Sequence, residues 1–195
     1  MRQNKRQIQK EATRKKLIET AMRVYSRDGF SAPSSVIAEE AGVAHGTLFV
    51  HFPTLNDLLH GALQKFFIQI GGKLHDLSEK GGDLGEFLRT HLEILESVEA
   101  FYKKLVTECY VLPMDARVTL ASIQAVVSKH FAAAAAVGIK EGTIKDIPPE
   151  VMFNIWLALV HYYIQNSDIL SPGESALRKF KDEMTDNFAE LIRRN

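Results

Sequence analysis

The chain has 195 residues, of which 46% are apolar and 25% charged, and its formal net charge is zero. This is the composition of an ordinary globular protein, so we expect the chain to fold and to be soluble. Its single cysteine, Cys109, excludes an intrachain disulfide, and the longest apolar run, LALVHYYI, is far shorter than the roughly 20 residues of a transmembrane helix. Because no signal-like leader opens the sequence, we expect a cytoplasmic protein.

The charges are distributed unevenly along the chain. Residues 1–52 carry nine basic and five acidic residues, a net charge of +4, whereas residues 53–195 carry 15 basic and 19 acidic residues, a net charge of −4. Such a basic end is expected where a polyanion binds, although a solvated basic helix face would give the same count.

The first predicted elements are two helices joined by a turn. Over residues 8–28, apolar side chains recur at spacings of three and four, and Asp28-Gly29 ends the helix. The SAPSS segment, residues 31–35, predicts the start of a second helix, because serine favours an N-cap and proline is tolerated in a first turn. Gly42 ends this second helix after little more than two turns.

Residues 45–52, HGTLFVHF, have the local composition of a buried strand. A strand here has no neighbouring strand with which to pair, so helix is the better prediction. Two short helices around Gly42, between two longer ones, predict a helix-turn-helix unit whose second helix enters the major groove of DNA.

The run from Gly29 to Leu59 resembles the DNA-binding signature of the TetR family of transcriptional regulators. The matching residues stand at the family's spacing: Gly29, Phe30, Ile37, Ala38, Ala41, Gly42, Val43, Gly46, Thr47, Leu48, Phe49, His51 and Phe52. The resemblance implies an all-α fold, with an N-terminal three-helix helix-turn-helix DNA-binding domain (1–53) and a C-terminal helical bundle for effector binding and dimerisation (54–195).

The resemblance also implies which residues meet DNA. Ser34 and Ser35 either cap the second helix or contact phosphate, or do both. His45 and Thr47 are candidates for contacts with base edges, with Gly46 allowing close approach of the backbone. The remaining candidates are Phe49, His51, which resembles the family's phosphate-contacting histidine, and Thr54, a predicted N-cap.

Two positions depart from the family pattern. Phe49 stands where the family more often has tyrosine, and Leu55 stands where it commonly has a lysine that meets a phosphate. Fewer charged contacts predict a shallower salt dependence of DNA binding. The leading segment MRQNKRQIQK offers compensation as a flexible basic arm.

A fourth helix is predicted from residue 54 onward, continuing across Gly71-Gly72 toward Leu77. The two glycines mark either a compliant point in this helix or a helix end. Further helices are predicted near 84–96, with a capping box from Asp83 and Glu86, and near 98–112, 116–138, 149–167 and 173–194.

The helix from Val151 is apolar nearly all round, which predicts a partner subunit as well as a core. By resemblance, it pairs with the last helix in a homodimer, and a two-fold dimer matches a palindromic operator. The effector pocket is expected among large or soft side chains, most of which are core: Phe66, Phe67, Ile70, His91, Phe101, Tyr102, Leu105, Cys109, Phe131 and Trp156.

We therefore predict a repressor that a small lipophilic or aromatic molecule releases from DNA. No HExxH, CxxC, G-x-S-x-G, P-loop or dinucleotide motif occurs in the sequence, so we expect no catalytic residue, metal or cofactor. The alternatives are a helical enzyme or lipid-binding bundle, and a DNA-binding protein without effector control.

Overall fold

In the computed structural model, residues 2–79 and 82–194 are described, and their regular elements are helices. The N-terminal part contains α1 (Arg2–Asp28), α2 (Ser34–Glu40), α3 (His45–His51) and α4 (Leu55–Glu79). Gly29 and Gly42 adopt φ values of +82° and +64°, which only glycine accommodates readily, and they end α1 and the turn after α2. The helical interpretation of HGTLFVHF is confirmed.

The remaining elements are α5 (Leu84–Glu96), α6 (Glu99–Thr107), a 3-10 turn (Cys109–Val111), α7 (Met114–Glu141), α8 (Pro149–Gln165), α9 (Ser167–Leu170), α10 (Ala176–Lys179) and α11 (Lys181–Ile192). Asp83 caps α5 by accepting the Glu86 N–H at 2.8 Å, as its sequence pattern predicts. An isolated antiparallel bridge joins Ile144 and Arg193. The all-α prediction is therefore confirmed.

Four predictions about the extent of the helices are corrected. The helix expected near 98–112 ends at Thr107, followed by the 3-10 turn, and the helix expected near 173–194 is broken at Phe180 into α10 and α11. The basic arm expected to be flexible is helical from Arg2. Because α4 runs through Gly71-Gly72, the alternative of a helix end there is wrong, and the compliant point stays a prediction.

The chain divides into two compact units, Met1–Phe66 with Ala100–Leu120, and Phe67–Glu99 with Ala121–Asn195. The core of the first unit contains the fully buried side chains of Leu17, Ile37, Leu48 and Leu58. The core of the second unit is aromatic. The ring centroids of Phe131 and Phe87 lie 5.6 Å apart, and those of Trp156 and Phe188 lie 5.2 Å apart.

The helix α7 is the one element among the described residues that is long and apolar enough to cross a membrane by length and composition alone. A core helix of a soluble protein passes the same test, and α7 buries Ile123, Val127, Phe131 and Ala135 along one stripe. Its composition is therefore weak evidence for a membrane span.

Candidate nucleic-acid interface

Helices α2 and α3 form a helix-turn-helix whose inward faces are apolar. Ile37 and Ala38 of α2 and Leu48 of α3 are buried, and the buried Phe52 ends α3. The guanidinium of Arg14 in α1 lies 4.7 Å from the centroid of the Phe52 ring, so α1 packs beside the end of α3. Burial of these side chains leaves the opposite face of α3 to solvent.

The predicted DNA-contacting residues all lie at or near the surface. Ser35, His45, Gly46, Phe49 and Thr54 are exposed, whereas Ser34, Thr47 and His51 are half-buried. Apart from its chain neighbours and the backbone of α3 itself, no described residue has an atom within 4 Å of a Cβ built on Gly46, so the backbone is open to a ligand at that position. These residues are therefore accessible on α2, on α3 and before α4, and their contacts with DNA stay a prediction.

Three of these residues, Ser34, His45 and Thr54, are already hydrogen-bonded within the protein. The Ser34 hydroxyl lies 2.9 Å from Nε2 of His45. The Thr54 hydroxyl donates to the Asp57 carboxylate at 2.7 Å and accepts the Asp57 N–H, while the Thr54 N–H also donates to that carboxylate. Thr54 is thus a capping residue of α4, in the reciprocal arrangement of a capping box.

A cluster of positive charge adjoins the end of α3. Burial lowers the pKa of His51, and the nearby Lys10 ammonium and Arg14 guanidinium lower it further, so the surroundings favour the neutral imidazole. Nδ1 of His51 is buried and has no hydrogen-bond partner among the described residues. Arg6, Lys10 and Arg14 follow each other at intervals of four and are all exposed, which aligns them along one face of α1.

Sequence reasoning missed two residues of this surface. Val50, with 74% of its surface exposed, lies on the outward face of α3, and Arg14 lies beside Phe52. A signal was present for each: Val50 follows Gly46 by four residues, and Arg14 follows Lys10 by four. The sequence prediction named polar residues near them instead.

Residues 100–120 contribute two carboxylates that hold the turn after α1 and the first two turns of α4. The Glu108 carboxylate accepts the Phe30 N–H at 2.9 Å and pairs with Lys104. The Asp115 carboxylate accepts from the Asn56 side chain at 2.6 Å and from Nε2 of His60 at 2.9 Å. The hydrogen bonds from His60 and Asn56 lower the pKa of Asp115 to about 2.

The predicted pocket residues are distributed over both compact units. Phe66, Phe101, Tyr102 and Leu105 are buried in the first unit, and Ile70, His91, Phe131 and Trp156 are buried in the second. Cys109 is half-buried and Phe67 is 36% exposed. That these side chains line an effector pocket stays a prediction.

One cavity of about 400 Å³ lies within the second unit, between α5, α7 and α11. Its lining includes Leu88, Val137, Ile144 and Arg193, and it contains none of the predicted pocket residues. Among the residues that the structure describes, no group of three or more His, Cys, Asp or Glu side chains is arranged to hold a metal ion.

Comparison with known proteins identifies the N-terminal module. Residues 17–62 match the family of bacterial regulatory proteins described as the tetR family. No curated protein sequence matches the chain. The match covers the second half of α1, α2, α3 and the start of α4, and it includes all the predicted DNA-contacting residues from Ser34 to Thr54.

Solved structures share the whole fold at low sequence identity. A TetR-family transcriptional regulator from Agrobacterium tumefaciens has a TM-score of 0.78 and 19% identity, covering 94% of this chain and 99% of that one. A transcriptional regulator from Saccharomonospora viridis in complex with choline has a TM-score of 0.77 and 20% identity, covering 95% and 100%. FadR from Bacillus subtilis in complex with stearoyl-CoA has a TM-score of 0.72 and 17% identity, covering 91% and 98%.

Proposed function

We propose that this chain is a homodimeric repressor of the cytoplasm. It has the fold and the DNA-binding domain of a TetR-family transcriptional regulator, and it is therefore not an enzyme. It binds a palindromic operator and is released by a small lipophilic or aromatic effector. The observation that carries the proposal is the exposed outward face of α3, with the aligned cations of α1 beside it. This combination supplies a surface for base edges next to one for phosphates.

Each candidate residue has a distinct role in the DNA complex. His45 and Thr47 contact base edges, and Gly46 and Phe49 form the surface between them. Ser35, exposed in the first turn of α2, and His51, at the end of α3, contact phosphates. Ser34 acts mainly by holding His45, and Thr54 acts by capping α4 beside the DNA.

The dimer forms through α8 and α11. On α8, the apolar residues Val151, Ile155 and Tyr162 have 46%, 40% and 56% of their surfaces exposed, and Leu191 on α11 has 53% exposed. Exposed apolar residues repeated along one helix face are typical of a protein interface. A second copy of the chain covers this face, and the two-fold axis of the dimer presents two copies of α3 to two operator half-sites.

The effector binds the helical part of the chain that follows the DNA-binding helices. The fold accommodates chemically different ligands, since one similar structure holds choline and another holds stearoyl-CoA. The aromatic interior of the second unit favours a lipophilic or aromatic molecule over a sugar or a phosphate. Release from DNA requires the effector to bind the DNA-incompetent state more tightly, because a ligand shifts an equilibrium only by its differential affinity.

Selection of bound duplexes from a random DNA pool by the purified protein tests the proposal. The expected result is enrichment of a palindrome whose half-sites are separated by about one or more helical turns. The His45→Ala, Thr47→Ala double variant should lose this enrichment, and the Val137→Ala variant, altered on α7, should retain it. A pool that shows no enrichment at any salt concentration would refute the function itself.

A further inference from the structure

The centre of the outward face of α3 is hydrocarbon. Phe49 and Val50 follow Gly46 by three and four residues, so the three positions share one face of the helix. Val50 is 74% exposed and Phe49 is 38% exposed, and no side chain of a described residue beyond its chain neighbours covers Gly46. The polar residues His45 and Thr47 lie at the two sides of this face.

The segment from His45 to His51 also lacks the residue types that read purines. It contains no Arg, Lys, Asn or Gln, which are the side chains that make bidentate hydrogen bonds to guanine or adenine. Side-chain hydrogen bonds from this helix to base edges are therefore left to His45 and Thr47 at its two sides, and Gly46, Phe49 and Val50 between them offer none. An apolar contact is the kind of recognition that Phe49 and Val50 offer.

The apolar centre is held in a defined position before any DNA binds. The His45 ring meets the Phe49 ring edge-on, with centroids 5.2 Å apart and an interplanar angle of 86°. His45 is in turn hydrogen-bonded to Ser34 at the start of α2. Val50 is β-branched, and such a side chain has one strongly preferred rotamer in a helix. Little conformational freedom is lost when these groups contact a ligand.

We propose that Val50 and Phe49 read the C5-methyl groups of thymines in the major groove, so that the operator half-site carries thymine opposite the centre of α3. The thymine methyl is the apolar group that base pairs present in the major groove. The open backbone at Gly46 lets the helix approach closely enough for van der Waals contact. This proposal rests on the proposed DNA-binding function and specifies the bases that the same surface recognises.

The test replaces thymine by deoxyuridine, which pairs identically and lacks only the methyl group. The probe is the duplex selected from the random pool, with the thymines of its half-sites changed one at a time. We expect affinity to fall roughly three- to fivefold for each methyl in contact with Val50 or Phe49, the effect of burying one methyl group. Deoxyuridine placed outside the half-sites should leave affinity unchanged.

Variants assign the effect to the protein side chain. For one thymine position of the half-site, the Val50→Ala variant should bind the thymine duplex and the deoxyuridine duplex with nearly equal affinity. Val137→Ala makes the same substitution at a position on α7 with 55% exposure, and it should keep the full preference for thymine. Both sites are on the surface, so both variants should fold.

The outcomes separate this inference from the function on which it rests. If the protein enriches an operator but binds the deoxyuridine duplexes as tightly as the thymine duplexes, methyl recognition is refuted and the regulator stands. A selected half-site without thymine refutes methyl recognition equally. If no duplex is enriched, the DNA-binding function itself fails.

Discussion

The Ser34 hydroxyl lies 2.9 Å from Nε2 of His45, which joins the first residue of α2 to the first residue of α3. This hydrogen bond fixes the start of the recognition helix relative to the helix before it. It also orients the His45 ring, whose edge-on contact with Phe49 continues the packing across the outward face of α3.

We expect Ser34 and His45 to be energetically coupled in operator binding. Ser34→Ala should weaken operator binding up to about tenfold, because a net hydrogen bond is worth about 0.5–1.5 kcal/mol and α3 becomes less well ordered. A double-mutant cycle with His45→Ala, measured by equilibrium titration of the operator, should give a coupling energy in that range. Additive effects of the two substitutions would show that the two side chains act separately.

Gly29 should tolerate a side chain less well than Gly42. Both have positive φ, but a Cβ at Gly29 would lie 2.5–2.9 Å from the Glu108 carboxylate, whereas the nearest atom to a Cβ at Gly42 is Nζ of Lys16 at 3.6 Å. Gly29→Ala must displace Glu108 from the Phe30 N–H. It should therefore lower the free energy of unfolding by roughly 0.5–1.5 kcal/mol more than Gly42→Ala does.

Denaturant unfolding measures both glycine variants, and Glu108→Ala supplies the control background. With the carboxylate removed, the two glycine substitutions should cost nearly the same, because backbone strain alone remains. A larger cost for Gly29→Ala that persists in this background would mean that Glu108 is not its cause.

The sequence was sufficient for the helices whose ends carry local signals. Gly42 and Pro53 stand on either side of the α3 segment, and these flanks indicated a short helix despite its strand-like composition. Asp83 marks the start of α5 through its capping box. The break at Phe180 was missed, because no glycine or proline stands there. The centroid of its ring lies 4.8 Å from that of Tyr163. The two residues are 17 positions apart in the sequence, so helical periodicity does not reveal this contact.

The candidate site could be predicted from the sequence only where it follows the family pattern. The carboxylates of Glu108 and Asp115 lie 78 residues from Phe30 and 55 residues from His60, and no spacing rule connects positions so far apart. The exposure of Val50 depends on how α3 packs, so a valine in a short apolar run reads as core until the fold is known.

Buried His91 should make stability depend on pH. Burial lowers its pKa to about 4, and the nearby His161 contributes, while Nδ1 accepts the Trp156 N–H at 3.0 Å. The unfolded chain binds a proton near pH 6.5 and the folded chain does not. The free energy of unfolding should therefore decrease by about 3 kcal/mol as pH falls from about 6.5 to 4, with the full stability present above pH 6.5.

Denaturant unfolding at a series of pH values measures this dependence. His91→Gln keeps an acceptor for the Trp156 N–H and lacks the titrating group, so its stability should vary less over this interval. A variant as sensitive to pH as the parent protein would assign the dependence to other groups.

The cations along α1 should determine part of the salt dependence of DNA binding. Lys10→Gln and Arg14→Gln should each lower the slope of log affinity against log salt concentration by about 0.9, the effect of losing one phosphate contact. Because successive residues are about 100° apart around a helix, Lys15 lies off the face shared by Lys10 and Arg14. Lys15→Gln should leave the slope unchanged, and an equal change in all three variants would indicate a general charge effect.

Dimerisation should depend on the exposed apolar face of α8. Ile155 is 40% exposed there, between Val151 and Tyr162 along the helix, and an aspartate in its place would have to be desolvated in a self-complementary interface. Ile155→Asp should therefore be a folded monomer by analytical ultracentrifugation. Val137→Asp, at a 55% exposed position on α7, should remain a dimer.

Ile155→Asp should also weaken operator binding strongly, although α8 lies outside the proposed DNA-contacting surface. The effect comes from loss of the dimer. A monomer engages one half-site at a time and loses the gain from linking two recognition helices, which is commonly 10²-fold or more. The Ile155→Asp variant should bind a full palindrome and a single half-site with similar affinity, while the parent protein prefers the palindrome strongly. A monomeric variant that keeps this preference would contradict the two-fold arrangement, and a variant that stays dimeric would move the interface away from α8.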